Sequence, residues 1–272
     1  MNLAGIQLDL LLLMFAGGLV ISCVSSFLGV GGGIMMVPLL IFLFPKFGVS
    51  PVCAVHLAIG TSLLVIFLRS IPAAVSYRRR DLIVRRAVLP LALTSIIGTF
   101  LGAQLAAHLP GEVLRRVFAL LLFAAAVRMA FSPPIRSAQT QSRMAWPALL
   151  AVGVSAGFFS ALLGIGGGLV SVPLMGYILK FPTEKLAGTS TAIMIITSLA
   201  GMLQHVYHGY GAAELPACAI GYVHWAAAIP LAAGGMISAP FGAYLNDRLD
   251  VRVFKRTFAV VLVIVGVRML FF

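Results

Sequence analysis

Acidic residues are rare in this sequence. The 272 residues include only 7 Asp and Glu against 19 Lys and Arg. Every acid lies in or beside a loop between apolar stretches: Asp9, Asp81, Glu112, Glu184, Glu214, Asp247 and Asp250. No carboxylate relay, pair of catalytic acids, Ser-His-Asp set or acidic metal cluster can therefore assemble within the apolar part of the chain. The sequence argues against an enzyme and predicts neither a metal nor a cofactor.

Cysteine is scarce as well. Cys23, Cys53 and Cys218 are odd in number and widely spaced, and each lies in an apolar segment or at its edge. That spacing fits neither a zinc site nor a disulfide framework. We expect all three to be small buried apolar residues.

Charge of either sign is limited to 10% of the residues, whereas 61% are hydrophobic and the mean hydropathy is +1.09. A soluble domain needs far more polar surface than this. A membrane-spanning helix needs about 20 mostly apolar residues, and the chain offers such stretches almost end to end. The sequence predicts an all-α, polytopic membrane protein of the bacterial inner membrane.

The formal net charge of +12 raises nucleic acid as a partner only if the chain is soluble. Here the basic residues lie mainly in short loops between apolar stretches, as the positive-inside rule expects. We therefore expect the lipid bilayer, and no nucleic acid, as the partner of this charge. A second copy of the chain, in a homodimer, is a further candidate partner.

One unit is used twice. The stretch Phe27–Pro38, FLGVGGGIMMVP, matches Leu162–Pro173, LLGIGGGLVSVP, and the triplet Gly60–Ser62 matches Gly188–Ser190. Further landmarks follow in the same order: Pro90 with Pro230, Gly102 with Gly242, and Val127–Met129 with Val267–Met269. The separation between copies drifts from 135 to 128 to 140 residues, as loop insertions and deletions in a duplicated ancestor produce.

Each unit contains five apolar segments. We expect a first transmembrane repeat at 1–131, a cytoplasmic linker at 132–145 and a second repeat at 146–272, with about 8–10 transmembrane segments in all. The segments are roughly 10–28, 34–45, 52–77, 87–108 and 112–131, then 146–163, 169–180, 185–207, 219–245 and 252–271. Two of them, 34–45 and 169–180, amount to roughly 18 Å of helix, so each is either a short crossing or a half-helix that ends inside the membrane.

Because each unit has an odd number of crossings, the second repeat has the opposite orientation in the membrane. With the 77–86 loop inside, 14 of the 19 basic residues fall inside. A parallel repeat would instead place the basic 246–256 stretch outside and the uncharged 209–218 loop inside. The sequence therefore predicts two inverted repeats with both termini outside.

The two glycine breaks, Gly31, Gly32 and Gly33 in the first repeat and Gly166, Gly167 and Gly168 in the second, are candidate substrate-binding elements. Unwound backbone inside a membrane is tolerated where it is buried in protein or lines a cavity. Consecutive glycines favour unwinding and leave free N–H groups at the start of the next helix, where the helix dipole attracts anions. The alternative is that these glycines only permit close helix packing.

Hydroxyl and guanidinium groups extend this candidate site. Thr61, Ser62, Thr189 and Ser190 follow a glycine near the start of the third helix of each repeat, where they either donate to an anion or bond back to the preceding turn. Arg69 lies eight residues before Tyr77, about 12 Å from the cytoplasmic end of its helix. It either binds an anionic substrate or snorkels to the interface.

The remaining polar residues near helix ends receive simpler interpretations. We expect His56, His205 and His208 to be interfacial residues rather than proton carriers. Arg128 and Arg268 close the last helix of each repeat and are interpreted as membrane anchors.

These motifs resemble the TauE/SafE sulfite exporter family, also called the 4-toluene sulfonate uptake permease family. The resemblance rests on the duplicated G-x-G-G-G-x-x-x-x-P at Gly29–Pro38 and Gly164–Pro173, and on the G-T-S triplets. It covers nearly the whole chain and implies a secondary transporter of sulfur-containing anions such as sulfite or organosulfonates. It does not name the anion, the direction of transport or the coupling ion.

We therefore expect alternating access around an anion held between the two glycine breaks, with Arg69 supplying positive charge. Two other functions stay open. A passive anion channel would use the same cavity, and an accessory subunit of a membrane enzyme would share the fold.

Overall fold

Ten α-helices make up nearly all of the described chain. A computed structural model describes residues 2–3, 6–131, 144–212, 215–216, 218–246 and 251–271, with 2–3, 6–7, 130–131 and 251–258 described by backbone alone. The helices are α1 (Leu8–Leu28), α2 (Gly33–Leu43), α3 (Pro51–Arg79), α4 (Arg85–His108), α5 (Gly111–Phe131), α6 (Trp146–Leu163), α7 (Gly168–Tyr177), α8 (Thr183–Gly209), α9 (Trp225–Leu245) and α10 (Val251–Phe271). The predicted all-α fold is confirmed. Most of the predicted linker, 132–143, and the acids Glu214, Asp247 and Asp250 lie outside the described residues.

The little strand structure consists of two-residue hairpins, β1 (Asn2–Leu3) with β2 (Ile6–Gln7), and β3 (Ala219–Ile220) with β4 (Val223–His224). The second hairpin turns at Gly221, whose φ is +55°. It delays the start of α9 to Trp225, six residues later than the apolar pattern predicts.

The cysteines do not all share one environment. Cys53 is buried as expected, Cys23 is partly buried and Cys218 is exposed. The expectation of burial is wrong for Cys218, because this residue lies next to the β3–β4 hairpin instead of inside α9.

Six of the described helices are long and apolar enough to cross a membrane: α1, α3, α4, α6, α8 and α9. Helices α2 and α7 contain only 11 and 10 residues, which at 1.5 Å per residue is about half of a hydrocarbon core. Their length favours the half-helix over the short crossing. The chain is a multi-pass membrane protein.

Helix α3 lies at the centre of the bundle. Of its most apolar 18-residue window, 78% is buried inside the protein, against 44% for α1 and for α4. Fully buried side chains run along it from Leu57 through Leu63 to Ile66. A polar residue in the middle of α3 therefore faces protein and not lipid.

The helices of the two predicted repeats interleave instead of forming separate bodies. Helix α1 packs along α9, and the corresponding pair, α6 and α4, packs in the same way. Helix α3 lies against α8 and α9, α8 lies also against α4, and α5 pairs with α10. Each repeat thus buries its helices largely against the other repeat.

The close helix crossings come in matched pairs. At three crossings a Cβ on the glycine would lie 2.0 to 2.3 Å from a backbone carbonyl oxygen of the facing helix. At the remaining one, Gly153, it would overlap Thr94 Oγ1 and lie 2.9 Å from Leu91 O. These crossings are Gly18 on Leu231, Gly153 on Leu91, Gly242 on Cys23 and Gly102 on Phe158. The repeat alignment converts the first crossing into the second and the third into the fourth. This relation is expected for two units related by two-fold pseudo-symmetry. Their inverted orientation in the membrane stays a prediction, since internal contacts carry no information on sidedness.

One ion pair brings two predicted inside segments together. Lys185, in the first turn of α8, donates a 3.0 Å hydrogen bond to Asp81, in the loop after α3. Both segments therefore lie at the same end of the bundle. The Lys185 hydrogen bond and charge hold the pKa of the Asp81 carboxyl below its usual range.

Candidate functional site

The two glycine breaks lie directly against each other in the middle of the bundle. A Cβ at Gly33 would overlap the carbonyl oxygen of Gly164, and one at Gly168 would lie 2.7 Å from the carbonyl oxygen of Gly29. Gly31 and Gly167 also have φ of +79° and +80°, values that other residues rarely adopt. Close packing thus accounts for part of the glycine pattern, and both half-helices begin at this crossing.

Two serines hold the crossing. The Ser62 hydroxyl shares its one proton between Gly164 O at 2.8 Å and Ile59 O at 2.7 Å, and the Ser190 hydroxyl donates to Gly29 O at 3.3 Å. The proton of each hydroxyl is thus directed to a backbone carbonyl of a glycine break, and these serines stabilise the breaks in the present arrangement. Their contact with a substrate stays a prediction.

The two threonines hold the segments that lead into α4 and α9. Thr61 Oγ1 accepts a 2.9 Å hydrogen bond from His224 N, and Thr189 Oγ1 accepts one of the same length from Val84 N. Thr189 also donates to Lys185 O, one turn earlier in its own helix. These hydroxyls therefore anchor backbone in both repeats, and substrate binding by them likewise stays a prediction.

Arg69 does not snorkel to the interface. Its side chain is only 1% exposed and reaches the first glycine break at Gly32. Nη1 donates to Ser26 Oγ at 3.2 Å, whereas buried Nε has no hydrogen-bond partner within the described chain. The guanidinium is thus held inside the protein with part of its hydrogen-bonding capacity unused.

The surroundings of Arg69 are small and polar. Its Nε lies 3.2 Å from the point where a Cβ of Gly32 would stand, and Gly32 is the residue that caps α2. On the other side, a Cβ at Gly235 would lie 3.3 Å from Arg69 Cβ and 2.6 Å from Ser22 Oγ. Ser22 Oγ is buried and, like Arg69 Nε, has no partner among the residues that the structure describes.

The charge of Arg69 lacks an acidic partner in the described part of the chain, where the recorded ion pairs involve Asp81 and Glu112 at exposed positions. A buried unpaired charge is unfavourable by several kcal/mol. The N-terminus of α2 beside it carries a further partial positive charge. An anion bound beside the guanidinium would offset both.

The aligned position in the second repeat is neutral. The residue aligned with Arg69 is Thr197, whose hydroxyl hydrogen-bonds Ser95 Oγ at 2.7 Å and donates to Ile193 O at 3.1 Å. The residue aligned with Ser95 is Gly235, beside Arg69. The pseudo-symmetric position is therefore filled by two hydroxyls that satisfy each other, and the polar surroundings of Arg69 occur on one side of the pseudo-axis.

Sequence reasoning finds Arg69 and Gly32 but misses Ser22 and Ser26. These serines are four residues apart on α1, so they share one face of the helix, and hydroxyls recurring on one face of an apolar helix are the signal that points to them. The interfacial interpretation of the histidines is also wrong in part: His205 is 3% and His56 8% exposed, because the β3–β4 hairpin and the end of α4 cover them.

Arg128 and Arg268 make other contacts. Arg128 is half-buried and donates a long, 3.5 Å hydrogen bond to Leu169 O at the start of α7. Arg268 lies over the ring of Phe42, 4.4 Å from its centroid. The searched, described residues contain no group of three metal-ligating side chains.

A bundle of membrane-spanning helices around two broken helices and a buried cation defines a class of protein, the membrane transporters. The profile of the sulfite exporter TauE/SafE family matches residues 14–269. The chain belongs to this family.

Relatives of similar length support the same class. A probable membrane transporter protein of Methanocaldococcus jannaschii is 28% identical over 265 residues, which is 96% of each chain. One of Haemophilus influenzae is 27% identical over 266 residues, 95% of this chain and 97% of the relative. The probable membrane transporter protein YunE of Bacillus subtilis is 26% identical over 272 residues, 93% of this chain and 95% of the relative.

Proposed function

We propose that this protein transports a small sulfur-containing oxyanion, such as sulfite or a short organosulfonate, and that the anion binds between Arg69 and the start of α2. The observation that carries the proposal is the buried Arg69 guanidinium, whose Nε has no partner in the described chain although it lies beside Gly32. The family name supports sulfite as one substrate.

The chemistry of the surroundings suits an oxyanion. A guanidinium offers several N–H donors in one plane and binds the oxygens of an anion more directionally than an ammonium. Free N–H groups in the first turn of α2 add donors aligned with the helix dipole. The hydroxyls of Ser22 and Ser26 supply further donors from α1.

The proposed transport cycle is alternating access. The matched glycine crossings support two repeats that move against each other around their shared centre. Such movement would expose the anion first on one side of the membrane and then on the other.

The test is flux in proteoliposomes loaded with sulfite, thiosulfate, sulfate, methanesulfonate or ethanesulfonate, with and without a pH gradient. We expect saturable flux of at least one sulfur anion by the wild-type protein and a loss of at least tenfold in Arg69→Gln. The matched control is Arg116→Gln, because the Arg116 side chain is 66% exposed, and its flux should equal that of the wild type.

Two results would contradict the proposal. Unchanged flux in Arg69→Gln, with folding verified by size-exclusion chromatography and thermal unfolding, would remove Arg69 from the site. Linear flux without counter-transport would favour a passive channel over a carrier.

A further inference from the structure

The third helices of the two repeats end in different ways. The residues that the repeat alignment pairs there, at the same separation of 128 as Gly60 and Gly188, are Ser76 with Gln204, Tyr77 with His205 and Arg80 with His208. Packing agrees with this alignment: a Cβ at Gly188 would lie 3.1 Å from Tyr77 Cβ, and one at Gly60 would lie 3.1 Å from His205 Cβ. The backbone positions are therefore equivalent, while the side chains at the end of α3 differ in chemistry from those at the end of α8.

Three side chains at the end of α3 donate hydrogen bonds to carbonyl oxygens near the ends of α1 and α9. The bonds are Tyr77 to Ser26 O at 2.5 Å, Ser76 Oγ to Pro240 O at 3.2 Å and Arg80 Nη2 to Ala243 O at 2.5 Å. The Arg80 guanidinium also lies 5.3 Å from the ring centroid of Tyr77 and 5.8 Å from that of Tyr244 on α9. Helix α3 is thus fastened to two neighbouring helices at this end.

The ends of α1 and α9 are joined to each other as well. Asn246, which follows α9, donates from Nδ2 to Phe27 O at 2.5 Å. A Cβ at Gly242 would lie 2.0 Å from Cys23 O, so the two backbones touch there. The three donors of α3 therefore close against one continuous surface.

Pro72 interrupts α3 between Arg69 and these donors. It has no N–H and cannot donate to Leu68 O, and its ring disturbs the preceding turn, so the helix bends more easily here. The residue aligned with Pro72 is Ala200, and the sequence of α8 contains no proline. The third helix of the first repeat thus has a flexible point that its counterpart lacks.

Ser26 contacts both Arg69 and Tyr77. Its hydroxyl accepts from Arg69 Nη1 at 3.2 Å, and its carbonyl oxygen accepts from the Tyr77 hydroxyl. Arg69, Ala73 and Tyr77 are spaced four apart on α3 and share one face, and Ala73 and Tyr77 are 0% exposed. A single buried face therefore runs from the proposed anion site to the end of the helix.

We propose that residues 72–80, here called the gate segment, form the gate at this end of the bundle. Its three donors hold it on the ends of α1 and α9, and their release lets it bend at Pro72 and open a path to Arg69. An anion that takes the Nη1 donor from Ser26 Oγ removes one restraint on the turn that accepts the Tyr77 hydroxyl, so binding favours opening. This inference rests on the proposed alternating access and assigns the present arrangement to the state in which the path is shut.

The experiment measures access to the buried face directly, without substrate. The reporter is Ala73→Cys on a background lacking Cys23, Cys53 and Cys218, labelled in detergent micelles by a small charged thiosulfonate. We expect slow labelling with an intact gate segment and a roughly fivefold faster reaction in Tyr77→Phe and in Arg80→Met, because losing one hydrogen bond shifts an equilibrium by about this factor.

Matched variants separate the gate from a general loosening of the fold. Arg79→Met removes the same charge from an exposed neighbour and should leave the labelling rate of Ala73→Cys unchanged. A second reporter, Ala119→Cys on α5, where Ala119 is 0% exposed, should stay unlabelled in every variant. Pro72→Ala restores the missing N–H, so adding it to Arg80→Met should return labelling toward the slow rate.

A reversible cross-link connects the gate to transport. Ser76→Cys and Pro240→Cys, at positions where the Ser76 hydroxyl now donates to Pro240 O, are joined by a short bifunctional thiosulfonate. Flux of the sulfur anion that the protein carries should stop in the cross-linked protein and return after reduction. Equal flux before and after reduction would contradict an opening at this contact.

Unchanged labelling of Ala73→Cys in both Tyr77→Phe and Arg80→Met would overturn the gate, and so would equal acceleration in Arg79→Met or at Ala119→Cys. This failure is distinguishable from failure of the transport proposal, since labelling requires no substrate and the Arg69→Gln flux assay requires no gate.

Discussion

The Ser62 hydroxyl donates a 2.8 Å hydrogen bond to the carbonyl oxygen of Gly164, 102 residues further along the chain. The bond joins the third helix of the first repeat to the glycine break of the second. Its counterpart joins Ser190 to Gly29. Each glycine break is thus held by a serine hydroxyl from the other repeat.

Removing one of these hydroxyls should destabilise the protein without abolishing folding. Ser62→Ala leaves a buried carbonyl with one hydrogen bond fewer, and we expect a loss of about 1 kcal/mol. The measurement is thermal unfolding in detergent. Ser155→Ala, at a half-buried serine of α6, is the matched control and should be close to neutral. Equal losses in both variants would mean that the contact between the breaks contributes nothing specific.

A methyl group at the crossing should be far more damaging. In Gly33→Ala the new Cβ would overlap the backbone of Gly164 and Ile165, and backbone cannot move aside as a flexible side chain can. Overpacking of this kind typically costs about 1–3 kcal/mol or more, so we expect poor expression and early thermal unfolding. Gly111→Ala is the control, because its nearest neighbours would be 3.5 Å away. Wild-type stability of Gly33→Ala would contradict the close crossing.

The serines around Arg69 should affect substrate affinity more than maximal rate. Ser22→Ala and Ser26→Ala each remove one hydroxyl donor from the proposed site, and we expect roughly a fivefold rise in KM from the loss of about 1 kcal/mol of binding. The substrate should also raise the Tm of the wild type by ligand linkage, less in these variants, and not at all in Arg69→Gln. An unchanged KM in both serine variants would place the anion elsewhere.

The Asp81–Lys185 pair should produce a small pH dependence of stability at the end predicted to face the cytoplasm. The pKa of Asp81 is lowered in the folded protein, first by the Lys185 hydrogen bond and then by its charge. The pair therefore stabilises the fold above the usual aspartate pKa of about 3.9, and that contribution is lost as the pH falls through the lower folded value. The Asp81 side chain is 71% exposed, so solvent weakens the effect.

The comparison is thermal unfolding of the wild type and Asp81→Asn at pH 7 and at pH 3. We expect a small Tm deficit in the variant at pH 7 that shrinks at pH 3. Glu112→Gln is the control, because Glu112 pairs within its own helix and links no separate segments. A deficit that grows on acidification would contradict the assigned sign.

Much of the architecture could be predicted from the order of residues alone. Helix bounds follow from the lengths of the apolar stretches, and the start of α7 at Gly168 follows from the glycine break, because inside a membrane every backbone group outside a helix needs a special environment. The late start of α9 could not be predicted in this way, since the apolar pattern continues through the β3–β4 hairpin.

Local sequence also identified Arg69 as unusual by its depth within an apolar helix. Only the tertiary structure decided what surrounds it: Gly32 and Ser22 come from distant turns of the chain, and so does Gly235. The tertiary structure also decided the hydrogen bonding of Tyr77 and His205. Both lie near helix ends in aligned positions, yet one donates to a carbonyl and the other has a buried nitrogen without a partner in the described chain. Composition and periodicity determine which segments enter the membrane, whereas the partner of a buried polar group depends on which helices meet at its depth.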